Sequence, residues 1–276
     1  MTAPIDLPAY FARIGYSGPA DPTLPVLREL TARHVAQIAF EALDPFLGLA
    51  VDLDPLAVQA KLVRARRGGY CHEHNALFHD VLAALGFTVT ALGGRVVWAF
   101  KGQRAPLTHR LTLVDLPEGR FIADVGFGGQ SPTAPLRLEP GLQQATPHGS
   151  YRVVRDGDVF GLQLQLSDGW RTMYEFTLAA QAPVDFEVAN WFTSTHPRSL
   201  FTQNLVVSRV VGETRVNLFN ANLSVRHPDG RVEQSAMAGA AALGRLLEDV
   251  MGLELPTPAE AIWAKAASRG GSFGPV

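Results

Sequence analysis

The chain has 276 residues, 47% of them hydrophobic and 18% charged, with a formal net charge of −2. That suffices for a sizeable core, in one large domain or two to three small ones, and gives no general pull toward nucleic acid or an anionic membrane. A single cysteine excludes an intramolecular disulfide and fits a reducing compartment.

Residues 1–20 lack a basic start and an apolar run, so no secretory leader is expected. No apolar stretch approaches the ~20 residues that span a membrane. The expectation is a soluble, cytoplasmic protein without membrane or nucleic-acid partners.

The first third reads helical. Leu24, Leu27, Leu30, His34, Val35 and Ile38 recur at helical spacing behind Pro22 and Pro25. Asp54 as cap and Pro55 in the first turn start a second helix through Leu56, Leu62 and Val63. Arg64 and Arg66 suit its C-terminal end. Arg67 stands equally for that role and for support of the next loop. A third helix carries Leu77, Val81 and Leu85 on one stripe, with Phe78 and Leu82 beside them and Gly86 closing it.

After Gly86 the pattern turns to short β segments: 87–91, 95–100, 108–116, 120–125, 150–154, 159–166 and 170–177. Glu118-Gly119, Asp156-Gly157 and Asp168-Gly169 mark hairpins. An antiparallel barrel or sandwich is expected. The stretch 183–200 reads as an irregular connector. Strands resume at 204–211, 213–219, 222–227 and 231–234. Two helices follow, one through Leu243, Leu247 and Met251, the other from Pro258 through Trp263. The tail 268–276 is Gly-rich and reads as loose. The whole is α+β in three lobes. A helical domain over 1–86 carries the cysteine, and a β-barrel over 87–185 follows. A connector over 186–203 leads to an α/β lid over 204–276.

The chemistry concentrates in Arg67-Gly68-Gly69-Tyr70-Cys71-His72-Glu73-His74-Asn75. A lone cysteine is usually a small buried hydrophobe. Cys71, however, sits at a helix start, where unpaired N–H groups and the helix dipole favour a thiolate. The glycine pair before it lets the chain turn sharply and leaves the sulfur approachable. Cys71 and His74 could share a metal with Glu73 or His79. No second Cys-x-x-Cys or His-x-x-x-His pair completes a tetrahedral set, so no metal is expected.

A thiol nucleophile needs a base, and the base needs an orienting group. Of the eight histidines, His34 lies inside an amphipathic helix and reads as structural. His79 is about two turns beyond Cys71. His148, His196 and His227 sit in loops or strand ends. A helix holds the rings of His72 and His74 away from the sulfur. His109 is different, in the strand-like Thr108-His109-Arg110-Leu111-Thr112-Leu113-Val114. Asp124 lies in the apolar Phe121-Ile122-Ala123-Asp124-Val125, where an unpaired carboxylate is rarely buried. If Leu116-Pro117-Glu118-Gly119 forms the hairpin loop, Asp115 faces Arg120 and His109 faces Gly126. His109 and Asp124 are then diagonal neighbours on one face. A loop one residue longer or shorter puts them on opposite faces. The order Cys–His–Asp fits two classes, a papain-like hydrolase and an acyl transferase working through a thioester. The residues do not choose between them, although the papain-like fingerprints around the cysteine are absent.

The cysteine segment closely resembles the nucleophile motif of the arylamine N-acetyltransferases. Thr108-His109-Arg110-Leu111 and Ala123-Asp124-Val125-Gly126-Phe127-Gly128 resemble that family's histidine and aspartate segments, in the same order. Phe40-Glu41-Ala42-Leu43 resembles a further segment near the acceptor pocket, with Ala42 where the family often has Asn. The likeness covers nearly the whole chain and implies a cysteine-protease-like Cys-His-Asp core. It implies ping-pong acetyl transfer from acetyl-CoA to an aromatic amine or hydrazine, with no metal. Cys71 would be the nucleophile, His109 the base and Asp124 its orienter. Gly126 and Gly128 would let backbone N–H groups approach the CoA phosphates. Phe40 and Phe127 would line the acceptor pocket, and Tyr70, Glu73 and Asn75 would support the site. An amide synthase of the same fold, needing no CoA, carries the same motifs. The oligomeric state, monomer or homodimer, stays open.

Overall fold

The computed structural model describes residues 5–98 and 104–270. The expected strand residues 99 and 100 and the tail positions 271–276 lie outside these.

Helix α1 (Leu7–Ile14), which the residue pattern did not announce, starts on Asp6, whose carboxylate accepts from the Ala9 N–H. Helix α2 (Leu24–Gln37) carries its proline in the first turn. Strand β1 (Phe40–Glu41) and helix α3 (Leu43–Leu47) follow. Helix α4 (Pro55–Gln59) is capped by Asp54, as expected, and runs into a π turn over Ala60–Arg64. Helix α5 (Cys71–Ala84) has Cys71 as its first residue. Tyr10, Leu27, Leu30, Leu62, Phe78, Val81 and Leu82 form the buried centre of this lobe.

The chain then builds a nearly closed antiparallel barrel. Its strands are β2 (Thr88–Val96), β3 (His109–Leu116), β4 (Gly119–Ala123), β5 (Leu136–Arg137), β6 (Gln143–Thr146), β7 (Gly149–Asp156), β8 (Val159–Leu166) and β9 (Gly169–Ala180). Their spatial order is β5-β4-β3-β2-β9-β8-β7-β6. The Gln144 amide ties the two outer strands, accepting from the Arg137 N–H and donating to the Arg137 carbonyl. Strand β2 is one element where two were expected, because the chain runs extended through Gly93-Gly94, which stay paired with Arg110 and His109 of β3, and the register shift on its other side is taken up by extra residues of β9. β5 and β6 are too short to show a period and were not anticipated.

Alternation along β3 divides its side chains. Leu111 and Leu113 enter the barrel core, while Val114 joins the helical core. The β3–β4 hairpin turns on Pro117-Glu118 alone, since Leu116 pairs with Gly119. The loop is thus two residues rather than four, yet Asp115 still faces Arg120.

The stretch 183–200 is largely helical, not irregular. Helix α6 (Pro183–Thr195) and the short α7 (Leu200–Gln203) occupy the expected connector. Phe186, Asn190, Thr193 and Ser194 are buried, whereas Val184, Val188 and Trp191 are 57%, 64% and 66% exposed. Apolar residues on the outer face and polar ones on the inner face hide the helical period.

Strands β10 (Val206–Val211), β11 (Thr214–Phe219), β12 (Asn222–Arg226) and β13 (Val232–Ala236) form a second antiparallel sheet, and β1 joins it through Phe40 opposite Ser208. Helix α8 (Ala240–Arg245), a π turn over Leu246–Val250 and helix α9 (Ala259–Ala266) supply Leu243, Leu247 and Ile262 to its core. The fold is α+β, with helices, an antiparallel barrel and a C-terminal sheet covered by helices. Among the described residues no helix is long and apolar enough to cross a membrane.

β1 also fixes the turn before Cys71, because the Glu41 N–H donates to the Gly69 carbonyl at 2.7 Å. A Cβ at Gly68 would collide with the Ala39 carbonyl oxygen and the Glu41 side chain. Gly68→Ala is therefore expected to cost roughly 1–3 kcal/mol through overpacking against backbone. Denaturant unfolding checks this.

Candidate active site

The start of α5 is held by its own third residue. Glu73 Oε2 accepts from the Tyr70 N–H at 3.1 Å, and Glu73 Oε1 lies 2.7 Å from Lys61 Nζ. Lys61 also reaches Asp44 Oδ2 at 2.6 Å. Arg67 then joins Asp44 Oδ1 at 2.7 Å and Glu41 Oε1 at 2.8 Å. Two cations and three carboxylates thus lie behind the Arg67–Tyr70 turn. Burial would raise Asp44, but Lys61 and Arg67 outweigh it and hold that carboxyl below its ordinary value. Burial pushes Glu73 up to about 7, against the pull of Lys61. Of the two roles read for Arg67, the loop support is the one it performs. Lys61 and Asp44 carried no sequence signal, since neither belongs to the cysteine motif. On the other side of the turn, the Tyr70 hydroxyl donates to Asn190 Oδ1 on α6.

Cys71 is only 6% exposed. Its sulfur lies 3.6 Å from the Thr108 carbonyl oxygen, near enough to His109 for the two side chains to interact electrostatically. His109 begins β3 on the barrel-core side, and its Nε2 donates to Asp124 Oδ2 at 2.7 Å. That leaves Nδ1 for the sulfur. The observed hairpin register makes His109 and Asp124 the diagonal neighbours expected from the sequence. Asp124 Oδ1 accepts from Asn75 Nδ2 at 2.9 Å and from the Gly126 N–H at 3.0 Å. Asn75 also donates to the Arg110 carbonyl, and its Oδ1 accepts from the Val125 N–H. One side chain of α5 therefore registers the helix against both strands.

Burial opposes charge on His109, but Asp124 and Cys71 outweigh it and push its pKa up to about 10. Burial alone would raise Asp124. His109, Asn75 and the Gly126 N–H hold it below the usual carboxylate range instead. Tyr174 and Phe127 wall the imidazole, with ring centroids 4.7 and 5.6 Å away. Tyr174 comes too late in the chain for any motif to have pointed to it.

The remaining expected site residues lie close by. Gly126 packs against α5, where a Cβ would come within 2.8 Å of Asn75 Nδ2 and 3.0 Å of Cys71 Cα. Its N–H is spent on Asp124, and the Gly128 N–H is spent on Ser131 Oγ at 2.9 Å. A Cβ at Gly128 would come within 3.4 Å of the Phe40 ring, and Phe40 clusters with Tyr70, Cys71, Val206 and Phe219. Phe127 is half-buried against His109. Among the described residues, no group of three or more His, Cys, Asp or Glu side chains is arranged to hold a metal ion.

The model of the N-acetyltransferase family matches residues 23–260. An arylamine N-acetyltransferase of Mycobacterium tuberculosis is 46% identical over 256 residues, 91% of this chain and 90% of its own. That of Escherichia coli is 41% identical over 245 residues, covering 88% and 87%. The solved structure of the Mycobacterium marinum arylamine N-acetyltransferase in complex with CoA superposes with a TM-score of 0.91 at 42% identity, over 95% of this chain and 99% of that one.

The buried His109–Asp124 pair ties stability to pH. The folded value of His109, about 10, exceeds the ordinary 6.5. Its stabilisation is thus full below pH 6.5 and fades as pH rises toward about 10. Thermal unfolding midpoints are expected to fall between pH 7 and 10 more steeply in the wild type than in His109→Gln.

Proposed function

The chain belongs to the arylamine N-acetyltransferase family, and we propose that it transfers an acetyl group from acetyl-CoA to an aromatic amine or hydrazine in two displacements through Cys71. The observation that carries the proposal is the buried line from Cys71 through His109 to Asp124, with the sulfur at a helix start. In the first displacement the Cys71 thiolate attacks the thioester carbonyl. The acetyl–sulfur bond of the donor breaks, and imidazolium His109 gives its proton to the departing CoA sulfur. Acetyl-Cys71 and neutral His109 remain. In the second, the unprotonated amine attacks acetyl-Cys71, and the carbon–sulfur bond breaks. His109 takes the amine proton, and the thiolate–imidazolium pair returns. Asp124 holds the ring so that Nδ1 meets both proton partners.

CoA is the ligand named for the Mycobacterium marinum relative. In this chain Gly126 and Gly128 serve the donor by keeping the turn beside the sulfur bare. Phe127 and Phe40 line the acceptor side. Tyr70, Glu73 and Asn75 support the site through the contacts described above.

Steady-state kinetics with acetyl-CoA and an aromatic amine test this. The pattern expected is parallel double-reciprocal lines, no turnover in Cys71→Ala, and almost none in His109→Ala. Asp124→Asn keeps the fold and loses roughly 10³–10⁴-fold in kcat, because the imidazole is no longer held in its working tautomer. Wild-type turnover in a folded Asp124→Asn enzyme would remove Asp124 from the reaction.

A further inference from the structure

Three buried side chains outside the Cys71–His109–Asp124 line form a second one. The Tyr10 hydroxyl is 2.8 Å from His34 Nδ1, His34 Nε2 is 2.8 Å from His74 Nδ1, and His74 Nε2 is 3.1 Å from the Ala39 carbonyl oxygen. All three residues are almost wholly buried.

The carbonyl at the end orders the whole line. A carbonyl oxygen only accepts, so His74 Nε2 carries a proton. A neutral His74 then accepts at Nδ1, which requires a proton on His34 Nε2. His34 in turn accepts at Nδ1, and Tyr10 donates. A proton added to either ring would turn one acceptor into a second donor facing the first. Burial works the same way, lowering His34 and taking His74 down to about 4.

The line joins α1, α2 and α5 to the residue preceding β1. The Phe40 ring stacks on His74 with 10° between the planes, and His74 lies one turn beyond Cys71 on the same helix. His74 therefore touches both the strand that presents Phe40 and the helix that presents the sulfur.

We propose that His74, fixed in its Nε2–H tautomer by Tyr10 and His34, is a positioning residue that sets the Phe40 ring against the Cys71 helix and so governs acceptor binding. This rests on the reading of Phe40 as part of the acceptor side. It makes different demands on the two displacements. Both displacements use His109 and Asp124, whereas capture of the amine alone depends on Phe40.

The test combines three measurements on the full chain. Nitrogen-15 spectra of labelled histidines should show His34 and His74 as Nε2–H tautomers that do not titrate between pH 5 and 9. A titrating ring or an Nδ1–H tautomer at either residue overturns the ordering. His74→Leu removes both of its buried hydrogen bonds and should raise the amine KM about tenfold, with the rate of Cys71 acetylation by acetyl-CoA within about twofold of wild type. His74→Gln should recover most of that loss, because its amide accepts from His34 and donates to Ala39. Tyr10→Phe removes one oxygen at the far end and should raise the amine KM about threefold, and it decides the matter if His74→Leu does not fold. An unchanged amine KM in folded variants, or equal losses in acetylation and amine capture, overturns the positioning role. A wild-type chain that never becomes acetylated would instead defeat the proposed reaction, while the spectra would still report the line.

Discussion

The Asp124 carboxylate sets the terms for the rest of the site. A buried carboxylate without partners is among the costliest groups a fold can hold. Here its two oxygens take three donors from three directions: His109 on β3, Asn75 on α5 and the backbone of Gly126. Each donor fixes something else. His109 turns one ring nitrogen toward Cys71. Asn75 docks the Cys71 helix on the barrel. The Gly126 amide bends the chain so closely over α5 that a side chain has no room there. Barrel, helix and thiol are mutually placed by the need to satisfy one negative charge.

The start of α5 is braced in two different ways. On one side lies the ionic group of Lys61, Arg67, Glu41, Asp44 and Glu73, which holds the turn before Cys71. On the other lies the neutral line of Tyr10, His34 and His74, which ties the helix to the segment leading into Phe40. Both use groups that water would otherwise solvate, so both depend on complete pairing. Helix α6 closes the remaining side through Asn190 on Tyr70 and Phe186 against the Arg110 guanidinium, 4.4 Å from the ring centre.

Much of this was legible in the sequence, for identifiable reasons. Cys71 announced itself by its glycine pair and by the apolar stripe of Leu77, Val81 and Leu85. The His109–Asp124 contact followed from counting back from the hairpin. It survived an error in loop length because the pairing of Asp115 with Arg120 was unaffected. Helix α6 escaped because Val184, Val188 and Trp191 face outward while Asn190, Thr193 and Ser194 face in. Lys61 and Asp44 escaped because an ion pair between distant positions leaves no periodic trace. Gly126 and Gly128 were read as glycines that let backbone N–H groups approach the CoA phosphates. In the fold their amides pair with Asp124 and Ser131, contacts that leave no mark on the spacing of the sequence.

The central claim is that Cys71 carries the acetyl group between donor and acceptor. Intact-protein mass after mixing the chain with acetyl-CoA, and no amine, tests it most directly. The result expected is a gain of one acetyl group that maps to Cys71 and disappears when an aromatic amine is added. An unchanged mass, with Cys71 still readily alkylated, would contradict the claim and point to another acyl donor or to an amide synthase.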